Sequence, residues 1–164
     1  MYAVVDIEAT GGNHINGKII EIAIVLFDGE KIVSQYSTLV NPEVKIDWYV
    51  TKLTSITNKM VADAPLFKDV AEQIYDLTKG HVFVAHDVDF DYKFLKAELS
   101  KAGFEFKEPK VCTFKLSEKH LPNASSYSLG KLCNELGIPI PKEERHRAEG
   151  DAVATAKLLG LLMS

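Results

Sequence analysis

The sequence predicts an α/β domain built on a mixed five-stranded sheet with helices on both faces. Three observations carry that expectation. The N-terminal quarter holds three apolar runs of strand character, two of them joined by an Asp-Gly turn. Beyond Pro65 the apolar spacing changes to the three-and-four step of a helix. From there helical and short strand-like segments alternate, the pattern of a sheet covered by helices.

Taken in order, Tyr2 to Ile7 reads as a buried strand, ended by the Gly-rich turn Thr10-Gly11-Gly12-Asn13. Ile19 to Phe27 is nearly continuous in β-branched and apolar residues and is broken only by Glu21. Asp28-Gly29 and the alternating run Ile32 to Val40 complete a hairpin signal, so this quarter is expected to be largely antiparallel. Trp48 and Tyr49 then fall in a connecting segment after Pro42, as packing or rim residues. Leu66, Val70, Ile74 and Leu77 recur at helical spacing, with start signals at Asp63-Ala64-Pro65 and a stop at Gly80. His81 to His86 is a short apolar strand. Phe90, Phe94, Leu95 and Leu99 predict a helix closed by Gly103, and Lys110 to Phe114 a further strand. Two last helices, Leu129–Leu136 and Ala148–Met163, are separated by the Pro139 and Pro141 turn. No repeat or linker interrupts residues 1–164, which read as a single domain.

Composition narrows the function classes. At 46% hydrophobic and 26% charged residues the chain excludes disordered and fibrous classes. No stretch approaches the roughly 20 apolar residues of a membrane span. Met1 to Asp6 lacks a basic leader and reads as strand rather than signal peptide. Cys112 and Cys133 lie far apart, without the spacing of a metal knuckle or disulfide framework, so a reducing cytoplasm is expected. Net charge is −4, and the arginines are Arg145 and Arg147 alone. Such a chain has no basic stripe for long nucleic acid. Either it binds none, or it holds a short stretch and brings positive charge as metal ions.

Acidic residues recur at the ends of the predicted elements. Asp6 and Glu8 sit two apart on a strand, so their carboxylates share one side where that strand ends. Such a pair repels itself unless a cation intervenes, and Mg²⁺ or Mn²⁺ suits carboxylate oxygens; a solvated strand end is the plain alternative. In Ala85-His86-Asp87-Val88-Asp89-Phe90-Asp91, Asp87 or Asp89 could cap the next helix. Asp91 precedes Phe94 and Leu95 by three and four residues and so borders the buried face, where an unpaired carboxylate is costly. Asp151 lies in the first turn of the last helix and shares an inward face with Thr155, Leu158 and Leu162, while Ala152, Ala154 and Ala156 permit close packing. His146 precedes it in a loop, and histidine is the side chain able to take a proton from water near neutral pH. His14, His81 and His120 read as ordinary surface or loop histidines.

In combination these segments resemble the DnaQ-like 3′–5′ exonucleases, the histidine type of the DEDD superfamily. Val5-Asp6-Ile7-Glu8-Ala9-Thr10-Gly11 matches the first motif, Ala85 through Leu95 the second, and His146-Arg147-Ala148-Glu149-Gly150-Asp151-Ala152 the third. Softer similarities lie at Leu53-Thr54-Ser55-Ile56-Thr57, Cys112-Thr113 and Ser126 through Leu132. Within the family the chain is similar to the epsilon proofreading subunit of bacterial DNA polymerase III and its stand-alone relatives.

The resemblance implies a ribonuclease H-like fold and two divalent ions, Mg²⁺ or Mn²⁺. Carried over by motif, Asp6, Glu8 and Asp151 would hold the ion beside the attacking water, and Asp6 with Asp91 the second. His146 would be the general base. Phe90 would pack on the terminal nucleotide, with Ala9, Thr10 and His86 on the substrate side and Ile56 as a wedge against the last base. The implied partners are a single-stranded or frayed 3′ end of DNA, or RNA, and a DNA polymerase. The implied reaction is phosphodiester hydrolysis from the 3′ end, releasing nucleoside 5′-monophosphates in proofreading or repair. Small RNA exonucleases share all three motifs, and a catalytically silent nucleic-acid-binding module is the reading of another class. The chain departs from the family at Asp87 for a usual Asn, Ala9 for a usual Thr and Ser55 for a usual Gly.

Overall fold

The computed structural model describes residues 1–164. Five strands, β1 (Tyr2–Ala9), β2 (Ile19–Phe27), β3 (Ile32–Leu39), β4 (Val82–Ala85) and β5 (Lys110–Cys112), form one sheet in the order β3-β2-β1-β4-β5. The first three pair antiparallel, while β4 runs parallel to β1 and β5 parallel to β4. The hairpin between β2 and β3 is closed by Asp28, whose Oδ1 accepts the backbone N–H groups of Glu30 and Lys31.

The helices are α1 (Trp48–Thr54), α2 (Asn58–Ala62), α3 (Phe67–Thr78), α4 (Val88–Lys101), α5 (Thr113–His120), α6 (Leu129–Leu136) and α7 (Ala148–Met163). A 3₁₀ turn at Lys142–Glu144 precedes the last. None is long and apolar enough to cross a membrane. Three of the helices fall where the sequence predicts other structure. Trp48 and Tyr49 open α1 where a connecting segment is expected, and are solvent-exposed rim residues in edge-to-face contact with each other. α2 is a single capped turn too short to show a period. The strand expected to reach Phe114 stops at Cys112, because Thr113 begins α5.

Alternation along the strands sorts the sheet into two faces. Ala3, Val5 and Ile7 of β1 join Ile22 and Ile24 of β2 and pack under α3 and α4 against Phe67, Ile74, Phe94 and Leu95. Val4 of β1 and Ala23, Val25 and Phe27 of β2 lie on the other face, under Ala148, Ala152, Ala156 and Leu159 of α7. The small-residue seam of α7 is therefore 148-152-156, a four-residue step that lets backbone approach sheet. Ala154 turns instead toward Leu132, Leu158 and Leu162. Asp6 and Glu8 continue the α7 face of β1 beyond Val4, so the face that is apolar at mid-strand becomes acidic at the strand's end. That end is the carboxyl edge of the two parallel strands β1 and β4, the edge where ligands collect in open α/β sheets.

Candidate active site

Asp6 and Glu8 on β1 and Asp151 on α7 bring a carboxylate oxygen each to within 4.8 Å of one another. The strand period puts the first two on one face, and the Ala148–Ala152 seam lowers the first turn of α7 onto them. Asp91 reaches the same edge from α4. It is buried, and its Oδ1 accepts the backbone N–H of Ile7 at 2.9 Å, tying the second motif to the first.

The electrostatics are those of a site short of positive charge. Burial holds the Asp6 carboxyl well above the usual carboxylate range, and the charges of Asp91, Glu8, Asp151 and Glu21 raise it further. Its Oδ2 is buried without a hydrogen-bond partner. Glu8 is pushed up to about 8 by burial and by Asp151 and Glu21. Burial raises Asp151 to about 6, opposed by the backbone N–H of His146 and the charge of Arg145. Asp91 is raised by burial, with the Ile7 N–H pulling the other way. Acids that cling to protons in the absence of metal have the chemistry of a hard-cation site.

His146 is exposed in the loop before α7, as expected, and is held with φ 58°, a left-handed conformation that marks constraint in a residue other than glycine. It lines a cavity of about 170 Å³ together with Asp6, His86, Gly130, Arg145 and Asp151. Gly150 makes this loop possible: a Cβ there would stand 2.6 Å from the Glu144 carbonyl oxygen, so a side chain would push the 3₁₀ turn off α7.

A second cavity opens on the α4 side, where Phe90 is half-buried, 4.8 Å centroid to centroid from Phe94. Gly12, His14, Ile15, Asp87, Asp89, Phe90 and Lys93 line it, an aromatic face among charged side chains. His14, in the loop before β2 as expected, forms part of this wall and lies edge-on to Phe94. Ala9 and Thr10 lie between the two cavities in sequence; Thr10 accepts the Lys18 N–H through Oγ1 and so closes the loop before β2.

Three expectations are corrected. Ile56 is fully buried among Ile20, Ile46, Val50 and Val61, so it is a core residue and no wedge. His86 has both ring nitrogens engaged, Nδ1 with Thr113 Oγ1 at 2.9 Å and Nε2 with the Tyr127 carbonyl at 2.7 Å. Burial pushes this imidazole below its usual range. Nε2 donates to the Tyr127 carbonyl, and the Thr113 hydroxyl lies between Nδ1 and the Ala85 carbonyl, so both ring nitrogens are engaged within the fold and His86 pins β4 to the loop before α6. Neither Asp87 nor Asp89 caps α4. Asp87 occupies the cap position with φ 78° and no side-chain bond, and Asp89 pairs with Lys110 at 2.6 Å. The Asn usual at position 87 is therefore explained by backbone conformation, since Asn and Asp visit the left-handed region more readily than other residues. Ser55, also left-handed at φ 63°, stands where the family's glycine has the same reason.

Sequence reasoning missed Glu21. It is buried on the α7 face of β2 and accepts from Arg147 Nε at 3.0 Å and Nη2 at 2.6 Å, and from the Ala148 N–H at 2.6 Å. Arg147 supplies no cap to α7 from its own side chain, so a carboxylate from the sheet takes that place. The signal was present: a charge inside a strand buried on both faces demands a partner. Nothing in the linear sequence named Arg147 as that partner.

Comparison with known proteins supports the motif reading. The family described as Exonuclease (RNase_T) matches residues 3–159. The chain is 38% identical over 157 residues to the PolC-type DNA polymerase III of Caldanaerobacter subterraneus subsp. tengcongensis, covering 96% of this chain and 11% of that protein. It is also 38% identical over 159 residues to the 3′-5′ exonuclease DinG of Staphylococcus haemolyticus, covering 96% of this chain and 17% of that one. The chain thus spans well under a fifth of the length of these two curated relatives. The structure of Exonuclease X in complex with 5′ overhanging duplex DNA superposes with a TM-score of 0.81 at 33% identity, over 99% of this chain and 91% of that one.

Proposed function

The chain belongs to the exonuclease family, and from that premise we propose that it trims DNA from the 3′ end in a metal-dependent hydrolysis, releasing nucleoside 5′-monophosphates in proofreading or repair. The observation that carries this reading is the unneutralised patch of Asp6, Glu8 and Asp151 beside His146. The PolC-type relative makes a DNA polymerase the protein partner of this proposal, and the DNA in the Exonuclease X complex favours DNA over RNA.

The residues fit divalent ions by their own chemistry. Asp6 has a buried oxygen with no partner, and the acids around it carry raised proton affinities. Asp6, Glu8 and Asp151 would hold one ion; Asp6 and Asp91 would hold the other. When bound, such ions supply Lewis-acid polarisation of the phosphodiester and neutralise the charge gathering on it. His146 takes the proton of the attacking water from the open side of the cavity, with its loop anchored through Arg147 to Glu21. Phe90 stacks on the terminal base in the α4-side cavity, and by the motif resemblance Ala9 and Thr10 face its sugar and phosphate. His86 keeps the loop carrying Tyr127 against β4, and so keeps the wall of the cavity in place.

The test is a gel time course with 5′-labelled single-stranded DNA and RNA of matched sequence, with Mg²⁺ or Mn²⁺, and an Asp151→Ala control. A metal-dependent ladder shortening from the 3′ end of DNA is expected. The same ladder chiefly on RNA would move the substrate class to RNA turnover, and silence on both would overturn the reading in favour of a binding module.

A further inference from the structure

Arg145 is the cation that the fold leaves uncommitted at the edge of the acidic site. The chain has two arginines, and Arg147 is spent on Glu21. The ion pairs of the structure are Lys79–Asp76, Lys101–Glu98, Lys110–Asp89 and Arg147–Glu21. Arg145 belongs to none of them, although Asp151 feels its charge.

Its position is built by a missing side chain. The guanidinium lies over Gly130 in the first turn of α6, where a Cβ would stand 2.5 Å from Nη2. From there Arg145 lines the cavity that holds Asp6, His146 and Asp151. It also lines the next one, with Ser125, Lys131, Asn134 and Glu135, which has no hydrophobic wall. Glu135 is turned to Ser125, accepting from its N–H and hydroxyl. A planar donor fork with no acceptor of its own, placed against an acidic cavity it does not pair with, is arranged for an oxyanion that comes from outside.

We propose that Arg145 binds a non-bridging oxygen of the phosphate being cleaved, and holds the same phosphate on the nucleoside 5′-monophosphate product. The proposal rests on the exonuclease reading above and names one more residue for its substrate. The scissile phosphate is favoured over those further along the strand because Arg145 shares its cavity with His146, Asp6 and Asp151. Lys131, in the adjoining polar cavity, is left to the neighbouring phosphate.

Three variants and two substrates test it. The substrates are a single-stranded DNA oligomer and thymidine 5′-p-nitrophenyl phosphate, a diester with no upstream strand. Arg145→Ala is expected to lower kcat/KM about tenfold to a hundredfold on both, and to weaken displaceable binding of thymidine 5′-monophosphate, with an unchanged melting temperature. Arg145→Lys recovers part of the loss, because charge is restored without the fork. Gly130→Ala moves the guanidinium aside without removing it: activity falls while the melting temperature rises, since alanine is the better helix residue. A loss confined to the oligomer would overturn the assignment to the scissile phosphate, as would an Arg145→Ala variant that cleaves and binds like the unsubstituted chain. If the unsubstituted chain cleaves neither substrate, the exonuclease reading falls and takes this inference with it.

Discussion

Glu8 and Glu21 stand opposite each other on β1 and β2, on one face of the sheet, and their surroundings differ in kind. Glu21 is met by a guanidinium and a helix N-terminal N–H, with contacts between 2.6 and 3.2 Å. Glu8 is met by burial and by like charges, which push it up to about 8. Like charges directly across a strand pair are unfavourable, and the fold cancels only one of them. A carboxylate that the protein satisfies holds the structure; one that it leaves unsatisfied is, under the proposed function, the one a metal ion would meet. Asp91 stands on both sides: its Oδ1 takes the Ile7 N–H, and under the proposed function its carboxylate also faces an ion, whereas Asp6 has an Oδ2 that takes nothing.

Substitutions on the two sides should therefore fail in different ways. Asp6→Ala or Asp151→Ala is expected to lower turnover by about a thousandfold or more while the chain stays folded, since each removes charge stabilisation rather than packing. Asp6→Asn should even raise the metal-free melting temperature, because it removes a buried acid without a partner. Turnover that survives either alanine variant would break the comparison. His146→Ala should cost about a hundredfold in turnover, within the range of a lost general base, with Mn²⁺ binding retained in calorimetry. Loss of the ion instead would make His146 a ligand.

Glu21→Ala should act on the other side of the divide. Leaving Arg147 and the α7 N-terminus without an acceptor costs about 2–3 kcal/mol of stability, discounted for the partial exposure of Arg147. Chemical denaturation would read that loss, and a midpoint within error of the parent would show the anchor to be dispensable. The acids predict a pH effect as well. Glu8, at about 8, and Asp151, at about 6, hold protons more tightly in the folded chain than the roughly 4 of an unfolded carboxyl. The folded chain binds excess protons in that window, so in EDTA stability is greatest below it and declines as pH rises toward 8. Melting in EDTA at pH 5.5 and 8.5 should show the decline, and Glu8→Gln should flatten it. The smallest change is expected from Asp87→Asn, with metal dependence unaltered, because the position serves a left-handed backbone; a shifted metal optimum would give Asp87 a charge role.

What could be seen in the sequence follows the same physical divide. Local periodicity marks α3 and α4, because each turns one apolar face to the core, and β2 shows as a continuous apolar run because both its faces are buried. It misses α1, whose exposed Trp48, Tyr49 and Leu53 interrupt any apolar stripe, α2, which is too short for a period, and α5, which begins with no gap after β5. Asp6, Glu8, Asp91 and Asp151 are legible because acids recur at the ends of apolar elements in three separate motifs. The Glu21–Arg147 bond, 126 residues apart, the ring contacts of His86 and the burial of Ile56 depend on which surfaces meet in three dimensions. Those contacts have no local signature.

The most direct test of the divide is calorimetric titration of Mn²⁺ into the parent chain, Glu8→Gln and Glu21→Gln, each at a temperature where it is folded. Metal affinity should fall at least tenfold in Glu8→Gln and stay within about twofold of the parent in Glu21→Gln. Equal affinities in the parent and Glu8→Gln, or loss of binding in Glu21→Gln alone, would contradict the claim that the unsatisfied carboxylates are the metal site.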